Sequence, residues 1–115
     1  MAATHHRDRE QQLGALSLAN AVRHRIHLAK CDLYEGRRAI WDVIADAGPE
    51  LASAPVLDLI TAVRGLGRVK AERLMAGVPV SHDVRLGQMT RKQRKRLAQA
   101  LQTQDWRRRV RRGEL

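Results

Sequence analysis

Aliphatic residues recur along this chain at spacings of three and four, and Gly or Pro interrupts the pattern at intervals. Spacing of this kind places apolar side chains on one face of an α-helix. No run alternates apolar and polar residues over the length of a strand, so the sequence predicts an all-α fold. The clearest case is residues 13–33, where the recurring side chains are Leu18, Val22, Ile26, Ala29 and Leu33.

Glycine and proline divide this pattern into five predicted helices. Breaker residues follow positions 33, 47 and 76, and Gly and Pro commonly end helices in this way. Ser53 and Pro55 mark one helix start, and Thr90 with Gln93 forms a capping box at another. The predicted helices are a long one over 13–33, then 38–47, a third from about 55, 68–76, and a fifth from 90 onward.

The core has to be aliphatic, because the 115 residues include no Phe, one Tyr and two Trp. A chain of this length forms one domain. We expect a flexible N-terminus over 1–12, a helical domain over 13–103 and a basic tail over 104–115, which either extends the fifth helix or is disordered when free. The predicted inward positions of the later helices are Ile40, Val43, Ile44, Ala47, Val56, Leu59, Ile60, Val63, Val69, Leu74, Met75, Leu97, Ala98 and Leu101.

The excess of positive charge is confined to the second half of the chain. Residues 1–63 contain 7 Lys and Arg against 8 Asp and Glu, a net charge of −1, whereas residues 64–115 contain 15 against 4, a net charge of +11. A one-sided excess of this size is typical of a surface that binds a polyanion. Nucleic acid is the leading candidate, and acidic lipid is the second.

Several function classes find no support in the sequence. The lone Cys31 cannot form an internal disulfide, which favours a reducing, cytoplasmic setting. No signal peptide, membrane span, metal site or cofactor is expected. His24 and His27 lack a third ligand at suitable spacing, and no carboxylates pair at a plausible active site, so we do not expect an enzyme.

Two glycines precede the fourth helix in the sequence RGLGRVKA. Gly65 and Gly67 can adopt backbone conformations closed to other residues, and they have no Cβ to keep a neighbour away. A turn of this kind before a helix can direct several N–H groups at one phosphate oxygen, with Arg68 and Lys70 beside it. An ordinary helix–helix connection is the alternative. There is no third glycine or Gly-Lys-Ser/Thr, so no nucleotide fingerprint is present.

The start of the fifth helix, TRKQRKR, carries five cations in two turns. Cations at a helix N-terminus oppose the helix dipole and repel one another, at a few tenths of a kcal/mol each. Bound phosphates would offset that cost. A generic basic surface is the other interpretation.

The segment VLDLITAVRGLGRVKA, a loop with Arg85 and the capped basic helix resemble a helix-two-turn-helix module over about 54–103. Such a module is found in a ribosomal small-subunit head protein and certain DNA glycosylases. Residues 15–101 more closely resemble the integration host factor family of actinobacteria. That family's pattern is a G-x-G-[KR]-V-[KR]-A turn and helix, an Arg-rich loop, and R/K-Q-R-K on the last helix. The family's loop has three arginines followed by Gly-Leu-Gly, whereas here only Arg85 remains, as in a divergent or mobile-element member.

The resemblance implies a monomeric, nucleoid-associated protein that binds duplex DNA with little sequence preference and bends or compacts it. It also implies a role in recombination beside a recombinase. Structured RNA is the alternative ligand for the same module. We hypothesise that the Arg107–Arg112 cluster compensates for the missing loop arginines. The DNA-binding residues predicted in this way are Gly65, Leu66, Gly67, Arg68, Val69, Lys70, Arg73, Arg85, Gly87, Arg91, Lys92, Arg94 and Lys95.

Overall fold

The computed structural model describes the backbone of residues 2–114 and the side chains of residues 9–114. Five α-helices make up most of this part, and it contains no β-strand. The prediction of an all-α fold with a long N-terminal helix is confirmed. Two short 3-10 turns, Pro49–Leu51 and Leu86–Gln88, lie in the connections. The helices are α1 (Ala2–Glu35), α2 (Ile40–Asp46), α3 (Val56–Thr61), α4 (Arg68–Ala76) and α5 (Arg91–Arg111).

Helix α1 begins at Ala2 and not near residue 13, so the backbone described within the expected flexible segment 1–12 is helical. Its end is fixed by Gly36, which has a φ of +77°. The N–H of Arg37 donates to the carbonyl of Asp32 at 2.9 Å, and the N–H of Gly36 donates to Leu33 at 3.3 Å. This pair of bonds is a Schellman ending, which requires the left-handed conformation that glycine adopts without strain.

Only the C-terminal part of α1 packs against the rest of the protein. Ala29 and Leu33 are buried and Ile26 is half-buried, whereas every side chain described over 9–18 is exposed. The helix therefore extends beyond the folded body, and the longest dimension of the molecule is 69 Å.

The core is aliphatic, as the composition requires. Helix α2 lies against α5, and α3 packs on α4. Most of the predicted inward positions are buried, including Ile44, Leu59 and Leu97. Val69 is an error in the prediction, because it is 66% exposed. Ala71 lies on nearly the opposite face of α4 and is buried in its place.

The connection between α4 and α5 is packed against the segment before α3. The N–H of Val56 donates to the carbonyl of Val84 at 3.0 Å, and the N–H of Leu86 donates to Ala54 at 2.9 Å. Helix α3 begins after Pro55 with no side-chain cap, so the cap predicted at Ser53 is wrong. These backbone bonds fix the segment around Leu86, whose side chain is buried.

Helix α5 starts at the predicted capping box. The N–H of Gln93 donates to the Thr90 hydroxyl at 3.1 Å, and the N–H of Thr90 donates to the Gln93 side chain at 2.9 Å. The helix continues through Arg111, so residues 104–111 follow the first of the two outcomes considered for the tail and extend the helix. In the part of the chain that is described, no helix combines the length and the apolar character needed to cross a lipid bilayer.

Candidate nucleic-acid interface

The turn before α4 contains two glycines in different situations. Gly65 has a φ of +82°, which lies in the region that glycine favours. A Cβ atom at Gly65 would also lie 2.9 Å from Nη1 of Arg108. Arg108 uses that nitrogen to donate a 2.9 Å hydrogen bond to the carbonyl of Arg64. Gly65 is therefore required by the fold itself, because it provides both the turn and the space for an arginine.

Gly67 has no such structural requirement. Its φ of −75° and ψ of 167° are extended backbone angles that any residue adopts. A Cβ atom at Gly67 would meet no atom of the described residues within 4 Å. Gly67 is the N-cap of the nine-residue helix α4, and no side chain of the turn caps its first N–H groups. The glycine that the fold does not need is thus the one with open space where a side chain would lie.

The first turns of α4 carry the other predicted residues of this region. Arg68 pairs with Glu72, with Nε and Oε1 3.0 Å apart. Lys70 and Arg73 are exposed, and none of the described acidic residues forms an ion pair with them. Leu66 is half-buried against the core and holds the turn in place. Exposed positive charge on α4 therefore follows the open backbone at Gly67, the residue that precedes this helix.

The loop around Arg85 differs from this arrangement. The guanidinium of Arg85 donates through Nη1 to the carbonyl of Ser53. The N–H of Gly87 donates to the carbonyl of Ala52 at 2.8 Å, and a Cβ atom at Gly87 would lie 2.8 Å from the Cβ of Ala52. Both residues therefore have structural roles in holding the loop to the segment before α3.

A carboxylate reduces the positive charge of the same loop. A hydrogen bond from the Ser81 hydroxyl lowers the pKa of Asp83, with smaller contributions from its own backbone and from the charge of Arg85. Asp83 is therefore anionic at neutral pH, two residues from the one arginine that the loop retains. Of the segments with predicted phosphate contacts, this loop therefore has the smallest net positive charge.

At the start of α5 the cations divide into two groups. Arg94 is half-buried, and it donates through Nε to the carbonyl of Ile44 and through Nη2 to that of Ala47, each at 2.6 Å. It thus binds the carbonyls at the C-terminus of α2, where a cation interacts favourably with the helix dipole. Four cations of this segment are exposed, namely Arg91, Lys92, Lys95 and Arg96.

Helices α4 and α5 run antiparallel. This arrangement separates two basic regions, the glycine turn with the start of α4 and the start of α5. The Gln93 side chain contacts the carbonyl of Pro79 just after α4, whereas Arg108 contacts Arg64 just before α4. The glycine turn therefore lies beside the C-terminal part of α5. Along the α5 axis, Lys92 and Arg108 are about 24 Å apart at roughly 1.5 Å per residue.

A cleft of about 430 Å³, which we call the basic cleft, lies between the glycine turn, the end of α1, the start of α2 and the C-terminal part of α5. Sequence reasoning did not assign this site. Its signal is the 3-1-3 spacing of Asp105, Arg108, Arg109 and Arg112, which places these side chains on one helix face. The cationic residues of its lining are Arg38, Arg64, Lys70, Arg108, Arg109 and Arg112.

The walls of the basic cleft also contain aromatic and acidic side chains. The guanidinium of Arg64 lies over the ring of Tyr34, 4.6 Å from its centre, as in a cation–π contact. Trp41 is half-buried in the wall near the start of α2. Asp105 pairs with Arg108 at 3.4 Å and with Arg109 at 3.3 Å.

The remaining candidates for chemistry do not come together. Cys31 and His27 are neighbours on α1, with Sγ and Nε2 3.6 Å apart. His24 lies one turn away on the same exposed stretch, and His82 is in the loop before Arg85. Within residues 9–114, no three His, Cys, Asp or Glu side chains are arranged to hold a metal ion.

No protein-family model matches this sequence, and comparisons with curated proteins and with solved structures likewise give no match. The assignment to the integration host factor family therefore stays a prediction that depends on the motifs in residues 65–101. The exposed charges and the open backbone at Gly67 are the features that indicate what the protein binds.

Proposed function

We propose that this protein binds duplex DNA through its phosphates, with little sequence preference, as a nucleoid-associated protein resembling integration host factor. The observation that carries the proposal is a set of six exposed cations, two on α4 after its open N-terminus and four at the start of α5. Among the described residues, none of these cations is engaged in an ion pair. They are Lys70 and Arg73 on α4 and Arg91, Lys92, Lys95 and Arg96 on α5.

The distance from the start of α5 to the glycine turn supports contact with one duplex. The separation of about 24 Å along α5 corresponds to about seven base pairs at 3.4 Å each. Two phosphate contacts at this spacing would hold a duplex along the protein surface, and a duplex drawn onto both regions would bend. Bending or compaction of this kind suits a partner of a recombinase in a nucleoprotein complex.

The exposed residues of α4 include no amide side chain that could read an adenine edge. Phosphate contacts from Lys and Arg position a protein on DNA and carry no sequence information directly. No described Asn or Gln pair projects from α4 toward a groove, because α4 contains neither residue. The proposal therefore predicts similar affinity for unrelated duplexes of equal length.

Salt dependence of binding tests the proposal. If four of the six cations contact phosphates, the logarithm of the affinity should fall by about 3.6 for each log unit of salt. Fluorescence anisotropy with two unrelated 20-base-pair duplexes, between low and moderate salt, measures this slope. A slope near zero, or duplex RNA competing better than duplex DNA, would overturn the proposal, and the second outcome would favour structured RNA.

A further inference from the structure

The basic cleft has more positive charge than its own acidic residues neutralise. Six cations line it against two carboxylates, Glu35 and Asp105. None of the described residues forms an ion pair with Lys70 or Arg112. The Nε atom of Arg108 is buried and has no hydrogen-bond partner among the described residues.

The shape and charge of the cleft indicate which anion fits. A cleft of about 430 Å³ has the size of a small-molecule site. One unpaired nucleotide of DNA contributes about one negative charge, whereas a nucleoside triphosphate contributes about four. Four is also the net formal charge of the lining, with six cations against two carboxylates. Trp41 in the wall adds an aromatic face beside which a base can stack.

From these observations we propose that the basic cleft binds a nucleoside polyphosphate. The phosphates lie among Arg38, Lys70 and Arg112, and the base lies against Trp41. Arg64 stays over Tyr34, and Arg108 keeps its bond to the glycine turn. This assignment concerns a small-molecule ligand and does not depend on the protein binding DNA.

A regulatory consequence does rest on the proposed function. Gly65, Leu66 and Lys70 belong both to the glycine turn and to the lining of the cleft. A nucleotide whose phosphates occupy Lys70 removes that cation from the DNA surface. The nucleotide should therefore lower the affinity for duplex DNA, and DNA should lower the affinity for the nucleotide by the same factor.

Direct titration with adenosine triphosphate, without divalent cations, tests the site. In the W106F background, which keeps Trp41 as the single tryptophan, we expect saturable fluorescence change below about 1 mM, and calorimetry on the unmodified chain should agree. Inorganic tripolyphosphate should bind about tenfold more weakly, because the stacked base is missing. Adenosine alone should not bind at these concentrations.

Two arginines of the same helix provide the matched variants. Arg112→Gln removes a lining guanidinium and should weaken triphosphate binding about tenfold, whereas Arg111→Gln, which is not in the lining, should change it less than about twofold. Circular dichroism checks that both variants fold. The site is refuted if no saturation occurs, if both variants lose affinity equally, or if tripolyphosphate binds as tightly as the nucleotide.

The experiment separates this proposal from the one on DNA. A salt slope near zero, or no DNA binding at low salt, with saturable triphosphate binding intact, would refute only the proposed function. A steep salt slope for DNA with no saturable triphosphate binding would refute only the nucleotide site. If DNA and the triphosphate both bind but do not compete, the DNA surface does not include the glycine turn. That result would contradict the shared role of Lys70.

Discussion

The glycine turn over 64–67 and the loop over 84–90 look alike in sequence, since each combines glycine with arginine before a helix. In the structure they differ in what already occupies their polar groups. The loop directs Arg85 to the carbonyl of Ser53 and packs Gly87 against Ala52. The turn leaves Gly67 open beside unpaired cations. Glycine or arginine therefore indicates a binding surface only where the fold has left it without an internal contact.

The same distinction applies within the turn and within α5. Gly65 accommodates Arg108, whereas Gly67 accommodates nothing in the described chain. Arg94 binds the end of α2, whereas its neighbour Lys95 is exposed. Pairs of equivalent residues, one internally bound and one free, thus occur within a few positions of each other. These pairs provide variants that differ in position and not in chemistry.

Substitutions of Gly87 in the loop and Gly67 in the turn should give the largest effects. In Gly87→Val the added atoms meet Ala52 in a packed connection, so we expect the free energy of unfolding to fall by about 3 kcal/mol. Gly67→Val should lower it by less than about 1 kcal/mol, the usual effect of a poorer N-cap. It should instead weaken DNA binding about tenfold, as expected for loss of a charge-assisted hydrogen bond to the backbone. Urea unfolding and anisotropy measure the two quantities.

Gly14→Val controls for the valine itself, because Gly14 is also open and lies in the exposed part of α1. This variant should leave DNA affinity unchanged. If Gly67→Val folds normally and binds DNA like the parent, the turn is only a connection between helices, and the contrast with the loop disappears.

Two adjacent cations of α5 should separate stability from binding. Arg94→Met removes both hydrogen bonds to the end of α2 and should lower the free energy of unfolding by about 2 kcal/mol. The DNA affinity of the folded protein should keep the same dependence on salt as that of the parent. Lys95→Met should change stability by less than about 0.5 kcal/mol and reduce the slope by about 0.9. Equal reductions of the slope would mean that Arg94 leaves α2 to bind DNA.

Much of the fold follows from short-range patterns. The five helices, the capping box at Thr90 and core positions such as Leu97 come from periodicity and end signals, which act within a few residues. Val69 was misassigned because a nine-residue helix offers two apolar stripes, and only the packing of α3 and α5 selects between them. Sequence alone cannot show which stripe a neighbouring helix covers.

The candidate site was predictable as a region and not residue by residue. Charge asymmetry and the glycine turn identify the second half of the chain. The assignments of Arg85, Gly87 and Arg94 depend on contacts with Ser53, Ala52 and Ile44, which are far away in sequence. The basic cleft was missed for the same reason, because its walls come from four separate segments.

The smallest effects should distinguish Lys70 from Arg85, which the sequence analysis treats as equivalent phosphate contacts. Lys70 is free, so Lys70→Gln should reduce the salt slope by about 0.9 and leave stability unchanged. Arg85 is bonded to Ser53 and near an anionic Asp83, so Arg85→Gln should lower the free energy of unfolding by about 1 kcal/mol. Its slope should stay close to that of the parent. Equal slope changes in the two variants would show that the loop exchanges its internal bond for a phosphate, and the turn and the loop would then act as a pair.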